Sequence, residues 1–211
     1  MDWKEERLGI FTASKISDLL VTERGGKGFG KSAMTYINAV LAELLTGEQA
    51  PEVTTKPIEW GNEWEPVAMA EYRKRFPDKE VVYFGKENPR LFSLAPEYPC
   101  GSSPDGLIYD ERVIEIKCPY NSSVHIENLG LTPETFRDER KEYFAQIQLN
   151  MICTGTNKAH FVSFDPRMID DELKLSLIEM PKDDDFCKNM INRIEAAGEI
   201  LRNKYKKLKG K

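Results

Sequence analysis

Histidine and cysteine are scarce in this chain, and their scarcity excludes several kinds of site. The only two histidines, His125 and His160, lie far apart and do not have the spacing of metal ligands. The four cysteines form no CxxC pair, so a zinc ribbon is not expected. A disulfide framework is not expected either, and we interpret the cysteines as buried, reduced thiols.

Long apolar runs and an excess of basic charge are also missing. No stretch is long enough to span a bilayer, and the opening MDWKEERLG lacks the apolar segment of a signal peptide. We therefore expect a cytoplasmic protein without a membrane partner. The net charge of −5 is unusual for a nucleic-acid binder, but it does not exclude one, because a site that holds divalent cations needs acids.

The remaining composition is that of a globular protein. Of the 211 residues, 40% are hydrophobic and 31% are charged, with both signs interspersed. No repeat or low-complexity linker interrupts them. We expect one domain over residues 1–211, with a basic C-terminal tail at about 203–211.

The order of the predicted elements is typical of an α/β fold. Ser32 and Gly47 mark the two ends of a strong helix, and Asp183 to Asp185 favour the start of the last one. The other predicted elements are helices at 12–20, 61–76 and 135–155 and strands at 80–84, 90–94, 106–109, 113–117, 159–165 and 173–180. This pattern predicts a central mixed β-sheet flanked by α-helices.

One hairpin carries an unusual set of polar residues, in the stretch SSPDGLIYDERVIEIKCP (102–119). If the loop is 110–112, Leu107 faces Glu115 and Asp105 faces Lys117. Residues that oppose each other, or that lie two apart on one strand, share a face of the sheet. Asp105, Glu115 and Lys117 are therefore predicted to converge.

A divalent cation would explain why two acids lie so close together. Neighbouring carboxylates repel unless a positive charge lies between them, and oxygen ligands suit Mg²⁺ or Mn²⁺. Lys117 could orient or deprotonate a metal-bound water, or neutralise a phosphate oxygen, which makes phosphodiester hydrolysis plausible. From these residues alone, an ordinary surface hairpin with a Lys–Glu pair fits equally well.

The stretches SPDG and IEIKCP resemble the signature of the PD-(D/E)xK nucleases, and more narrowly the lambda exonuclease / YqaJ-type viral recombinase family. Four further stretches occur in the order of that family: TASKI (12–16), WGNEWEP (60–66), YFAQIQLNM (143–151) and FDPRM (164–168). The resemblance implies a restriction-endonuclease-like core and a Mg²⁺-dependent 5′-to-3′ exonuclease on double-stranded DNA, leaving 3′ overhangs for a single-strand annealing protein. It also implies a ring-shaped homotrimer and a phage or prophage origin in a bacterial host.

The resemblance also implies roles for individual residues. Two Mg²⁺ ions per site, replaceable by Mn²⁺, are implied, with the backbone carbonyl of Ile116 among their ligands. Ser103 matches a serine that lines the site. The implied catalytic residues, of which the three acids also ligate metal, are Glu65, Asp105, Glu115, Lys117 and Gln146.

A competing motif is GGKGFGKS (25–32), which matches the phosphate-binding P-loop pattern of ATPases. A helix follows it, but a helix-like stretch rather than a buried strand precedes it. A P-loop ATPase and a non-catalytic DNA-binding module therefore stay as alternative hypotheses. In the nuclease interpretation the same loop contacts DNA phosphate through Arg24, Lys27, Lys31 and Thr35, and Arg24 matches the family position that grips the 5′-terminal phosphate.

Overall fold

The structure is a computed structural model that describes residues 3–26, 28–51 and 53–210. Its helices are α1 (Trp3–Glu6), α2 (Ile16–Leu20), α3 (Lys31–Thr46), α4 (Lys56–Arg75), α5 (Ser122–Leu129), α6 (Pro133–Glu139), α7 (Lys141–Thr154) and α8 (Asp184–Lys209). Its strands are β1 (Phe11–Thr12), β2 (Val82–Tyr83), β3 (Phe92–Ser93), β4 (Cys100–Ser102), β5 (Gly106–Ile108), β6 (Arg112–Lys117), β7 (Lys158–Phe164) and β8 (Leu175–Pro181).

A five-stranded mixed sheet lies at the centre, in the order β2-β5-β6-β7-β8. Within it, β6 and β7 are parallel and the other neighbours are antiparallel. Helices cover both faces of the sheet, so β6 is buried on both sides along most of its length. The predicted α/β architecture is therefore confirmed.

Alternation along β6 decides which helix each of its side chains meets. Ile114 and Ile116 pack with α4 on one face of the sheet. Val113 packs with α6 and α7 on the other face. Glu115 and Lys117 share the face of Val113, so both point towards the side that α7 covers.

A second, smaller core joins the remaining helices to the site region. Helices α2, α3 and α8 pack there against α7 and against the three-stranded sheet β1-β4-β3. β4 leads directly into the stretch that contains Ser103 and Asp105. The packing of α7 against both cores therefore fixes where that stretch lies relative to α7.

Several predicted elements differ from the observed ones. The helix expected at 135–155 is divided at Arg140, whose φ of −134° and ψ of 52° are not helical. The Arg140 guanidinium donates to Asn128 and Glu127 on α5, at 2.8 Å and 2.7 Å. This tertiary contact accompanies the break, and α5, β1 and β4 were not predicted.

The helix ends show both successes and corrections. Gly47 and Gly155 end α3 and α7 with φ of 73° and 72°, as glycine at this position predicts. Ser32 is not the N-cap of α3, because the helix begins one residue earlier and Gly30 occupies the cap. The basic tail is helical through Lys209, as the end of α8.

Helix α4 begins earlier than predicted, at Lys56, with Pro57 in its first turn. Pro66 lies inside it rather than near its start, and the helix continues to Arg75. Of the four free cysteines, Cys100, Cys118 and Cys187 are buried as predicted, whereas Cys153 is half-buried. None of the described helices combines the length and the apolarity that a bilayer-crossing segment needs.

Candidate active site

The hairpin of β5 and β6 brings the predicted acids together, but in a different register from the predicted one. Leu107 pairs with Val113, so the three-residue loop is 109–111 and not 110–112. Continuing that register places Asp105 opposite Glu115 rather than Lys117. Because the loop length stays odd, the two acids and Lys117 still share one face. Asp105 reaches across the hairpin, and its Oδ2 accepts from the Ile116 backbone N–H at 2.6 Å.

Glu115 is the buried centre of the cluster, with 1% of its surface exposed. Its Oε1 accepts from the Lys117 ammonium at 2.5 Å and from the Gln146 amide at 2.6 Å. Its Oε2 accepts from the Asn150 amide at 2.8 Å. Gln146 and Asn150 lie one turn apart on α7, so the two amides approach the carboxylate from the same helix.

Glu65 approaches the acidic cluster from the other side of the sheet. It lies on α4, whose buried residues pack against the opposite face from α7. Its Oε1 accepts from the Tyr83 hydroxyl at 3.0 Å, which ties α4 to the edge strand β2. The charges of Glu115 and Lys117 both act on Glu65, which places it in the same electrostatic cluster.

The cluster holds more negative charge than its single lysine balances. Burial, reinforced by Glu115 and Glu65, raises the pKa of Asp105 well above its ordinary value. Burial also raises the pKa of Glu65, and the Tyr83 hydroxyl offsets only part of that effect. Burial lowers the pKa of Lys117, but Glu115 and Asp105 outweigh it and the net shift is upward. The two acids thus keep Lys117 positively charged in the metal-free site.

The donors present fit a hard divalent cation. The side-chain oxygens of Glu65, Asp105 and Glu115 are the ligand type that Mg²⁺ and Mn²⁺ prefer, and a divalent ion would cancel the excess charge. Among the described residues, no three Asp, Glu, His or Cys side chains already stand in the arrangement of a metal centre. Each of the three carboxylates accepts a hydrogen bond from a protein donor in this structure. Ligation by these groups and by the Ile116 carbonyl stays a prediction.

A cavity of about 280 Å³ opens beside the cluster. Glu65, Asp105 and Gln146 line it, together with Ser103, the serine that the resemblance predicted. Glu115 does not line it, but Gln146 connects the two because it borders the cavity and donates to Glu115.

The N-terminal segment also contributes to the lining of this cavity. Trp3, Arg7 and Ser14 line it. The Trp3 indole N–H donates to the Ser103 hydroxyl at 3.2 Å, and the Arg7 guanidinium lies 4.3 Å from the centroid of the Trp3 ring. The cations of Arg7 and Lys86 and the hydroxyls of Thr12, Ser14 and Ser103 thus line the same cavity as the acids, which suits a phosphate group.

A larger neighbouring cavity, of about 760 Å³, shares Trp3, Arg7 and Ser14 with the first one. Lys31 and Thr35, at the start of α3, line it. The two cavities form a continuous concave surface from the acidic cluster to the N-terminus of α3. Two of the four loop residues predicted to contact DNA therefore lie on this surface.

The other two residues predicted to contact DNA, Arg24 and Lys27, belong to the glycine-rich loop. Arg24 is exposed and lines neither cavity, so its contact with the terminal phosphate stays a prediction. Lys27 lies outside the described residues. From α8, Arg193 binds the loop region through the carbonyls of Leu19, Val21 and Gly28 at 2.8–3.3 Å.

The P-loop interpretation lacks its structural context. Helix α2 ends at Leu20, and a single bridge between Thr22 and Phe29 stands where a P-loop needs a buried strand. The described residues of the loop therefore do not favour the ATPase hypothesis over the nuclease.

Three contributors to the site were missed in the sequence: Asn150, Tyr83 and Arg7. Asn150 lies in the quoted stretch YFAQIQLNM, one helical turn after Gln146, so helical spacing could have identified it. Tyr83 and Arg7 carried no comparable signal, because each reaches the cluster through tertiary packing.

Comparisons with known proteins show what this chain resembles. Residues 2–157 match the family of YqaJ-like viral recombinase domains. The alkaline exonuclease LHK-Exo from Laribacter hongkongensis is similar, with 30% sequence identity over 99% of this chain and 95% of that chain and a TM-score of 0.79. A structure of LHK-Exo in complex with dAMP gives the same values. A phage related exonuclease from Haemophilus somnus 129PT shares the fold, with 15% identity over 94% of this chain and 96% of that chain and a TM-score of 0.73. No curated protein sequence matches significantly.

Proposed function

Because this chain belongs to the family of YqaJ-like viral recombinase domains, we propose that it is a Mg²⁺-dependent exonuclease that degrades double-stranded DNA from its ends. The family match confirms the resemblance seen in the sequence. The observation that carries the proposal is the meeting of Glu65, Asp105, Glu115 and Lys117 beside a cavity lined by cations and hydroxyls.

The similar structures support the same reaction class. LHK-Exo is an alkaline exonuclease, and one of its structures contains dAMP, a nucleoside monophosphate. A monophosphate is the kind of product that stepwise hydrolysis of DNA releases. We infer that the cavity of this chain accepts a terminal nucleotide in the same way.

Each residue of the cluster then has a chemical task. Glu65, Asp105, Glu115 and the Ile116 carbonyl would hold Mg²⁺ or Mn²⁺, with two ions per site. Bound there, the metal supplies an activated water and stabilises the charge that develops on the phosphate.

The remaining groups bind and orient the substrate. Lys117 neutralises a phosphate oxygen or orients the attacking water. Gln146 holds Glu115 at the border of the cavity. Arg7, Ser14 and Ser103 are placed to contact the phosphate that enters.

Digestion of linear duplex DNA labelled at either end, with Mg²⁺ or with EDTA, tests the proposal. We expect stepwise loss of the 5′-terminated strand with Mg²⁺ and none with EDTA, without any need for ATP. Asp105→Ala and Glu115→Ala should abolish cleavage, and Lys117→Ala should abolish turnover while metal and DNA still bind. Asp171→Ala, an exposed acid paired with Lys174, is the matched control and should cut normally. Full activity in EDTA or in Asp105→Ala would refute the proposal.

The proposal extends to the polarity and the partners that the family resemblance implies. We propose 5′-to-3′ degradation that leaves 3′ overhangs for a single-strand annealing protein, in the cytoplasm of a bacterial host of a phage or prophage. With a net charge of −5, attachment to DNA by charge alone is weak, and a homotrimeric ring would hold the enzyme on its track. Light scattering should give about three times 24.2 kDa, and a strict monomer at micromolar concentration would contradict the ring.

A further inference from the structure

Asn150 is a buried side chain whose placement the fold alone does not explain. It lies on α7, has no exposed surface, and donates through its amide to Glu115 Oε2 at 2.8 Å. Its own Oδ1 is buried and has no hydrogen-bond partner among the described residues. An unpaired buried acceptor destabilises a protein, so an apolar residue would serve a purely structural role better.

The geometry gives the amide a definite orientation. A carboxylate only accepts hydrogen bonds, so the Asn150 NH₂ must face Glu115 and its oxygen must face away. The opposite orientation would bring two oxygens together. The unpaired Oδ1 is therefore a consequence of the contact with Glu115.

The contact also separates the two oxygens of Glu115. Lys117 and Gln146 both donate hydrogen bonds to Oε1, and Gln146 borders the cavity. Among the described residues, only the buried Asn150 side chain donates a hydrogen bond to Oε2. Without Asn150 the carboxylate would lose its anchor on that side and could rotate.

We propose that Asn150 is a positioning residue that holds Oε2 of Glu115, so that Oε1 is presented to the divalent cation of the active site. The inference rests on the proposed function, because it assigns Glu115 to a metal. Asn150 lines neither cavity and acts through Glu115 only.

The test is Mn²⁺ binding to the full-length protein, measured by titration calorimetry without DNA, in wild type and in Asn150→Leu. Residues that orient a metal ligand typically change affinity about 10- to 100-fold, and we expect Mn²⁺ binding to weaken by that factor. Cleavage by the variant should recover towards the wild-type kcat as Mn²⁺ is raised, while KM for DNA stays unchanged.

Gln148 provides a matched control. It lies on the same helix, is equally buried, and binds Pro181 and Asp183 away from the acidic cluster. Gln148→Met should lower stability and leave the Mn²⁺ affinity unchanged. Asn150→Ser is the second variant, should Asn150→Leu not fold, because its side chain is too short to reach Glu115 and the same loss of affinity is expected.

Each outcome decides the question. Wild-type affinity in a folded Asn150→Leu or Asn150→Ser, or an equal loss in Gln148→Met, would overturn the role of Asn150 and leave the nuclease proposal intact. Wild-type protein that binds no Mn²⁺ and cuts no DNA would refute the proposed function and this inference together. Weaker Mn²⁺ binding in the Asn150 variants alone supports the positioning role.

Discussion

Asp105→Asn should be more stable than wild type without metal and less stable than wild type when metal is added. Burial and the charges of Glu115 and Glu65 raise the pKa of Asp105, so its ionised form is destabilising near neutral pH unless a cation is bound. Asp105→Asn removes that charge and keeps an oxygen that can accept from the Ile116 N–H. In EDTA the free energy of unfolding of the variant should exceed that of wild type by roughly 1–2 kcal/mol. This value lies towards the lower end of the cost of an uncompensated buried polar group, about 1–3 kcal/mol.

Metal should stabilise wild type much more than Asp105→Asn. A ligand at 100 times its Kd stabilises the native state by about 2.7 kcal/mol. For a chain of this length, each kcal/mol shifts Tm by about 2–4 °C, so wild type should gain about 5–11 °C. Asp105→Asn has lost a charged ligand and should gain little. The variant should therefore melt higher than wild type in EDTA and lower in Mg²⁺ or Mn²⁺.

Thermal melts at pH 7.5, in EDTA and in saturating MgCl₂ or MnCl₂, measure both effects. Asp171→Asn, which neutralises an acid on the surface, controls for the loss of one negative charge and should respond to metal like wild type. An Asp105→Asn protein that is less stable than wild type in EDTA would contradict the electrostatic argument. Equal stabilisation of both proteins by metal would remove Asp105 from the metal site.

Three further predictions concern other parts of the molecule. Arg7 lines both cavities, so Arg7→Ala should reduce the preference for 5′-phosphorylated over 5′-hydroxyl duplex by roughly 1.5–3 kcal/mol. If Arg24→Ala loses this preference and Arg7→Ala keeps it, Arg24 and not Arg7 binds the terminal phosphate. Tyr83→Phe removes the hydroxyl that holds Glu65 and should weaken Mn²⁺ binding by about 10-fold in calorimetry; an unchanged affinity would show that Tyr83 does not orient the ligand. Burial, followed by the Arg112 charge, lowers the pKa of His160 to about 4 from 6.5, so stability should fall by up to about 3 kcal/mol as the pH drops from 6.5 through 4. Urea unfolding across this range should show that loss, and His160→Gln should diminish it.

The sequence by itself determined the local part of the site. Period-2 alternation along 113–117 places Glu115 and Lys117 on one face, and an odd hairpin loop adds Asp105 to that face. The predicted loop was displaced by one residue, but it still had three residues. Because an odd loop length keeps the same residues on each face of the sheet, the three side chains still converge. Glycine at Gly47 and Gly155 also marked two helix ends, since few other residues adopt the left-handed conformation there.

Only the tertiary structure decided what meets that face. Asn150 and Gln146 reach Glu115 because α7 packs on its side of the sheet, and Glu65 joins from α4 on the other side. Arg7 lines the same cavity as the acids because the N-terminal segment packs beside Ser103, to which Trp3 donates. Periodicity fixes the direction of a side chain relative to its own strand or helix, within a few residues of sequence. Which distant element lies in that direction depends on how whole surfaces bury each other, and no local pattern contains that information.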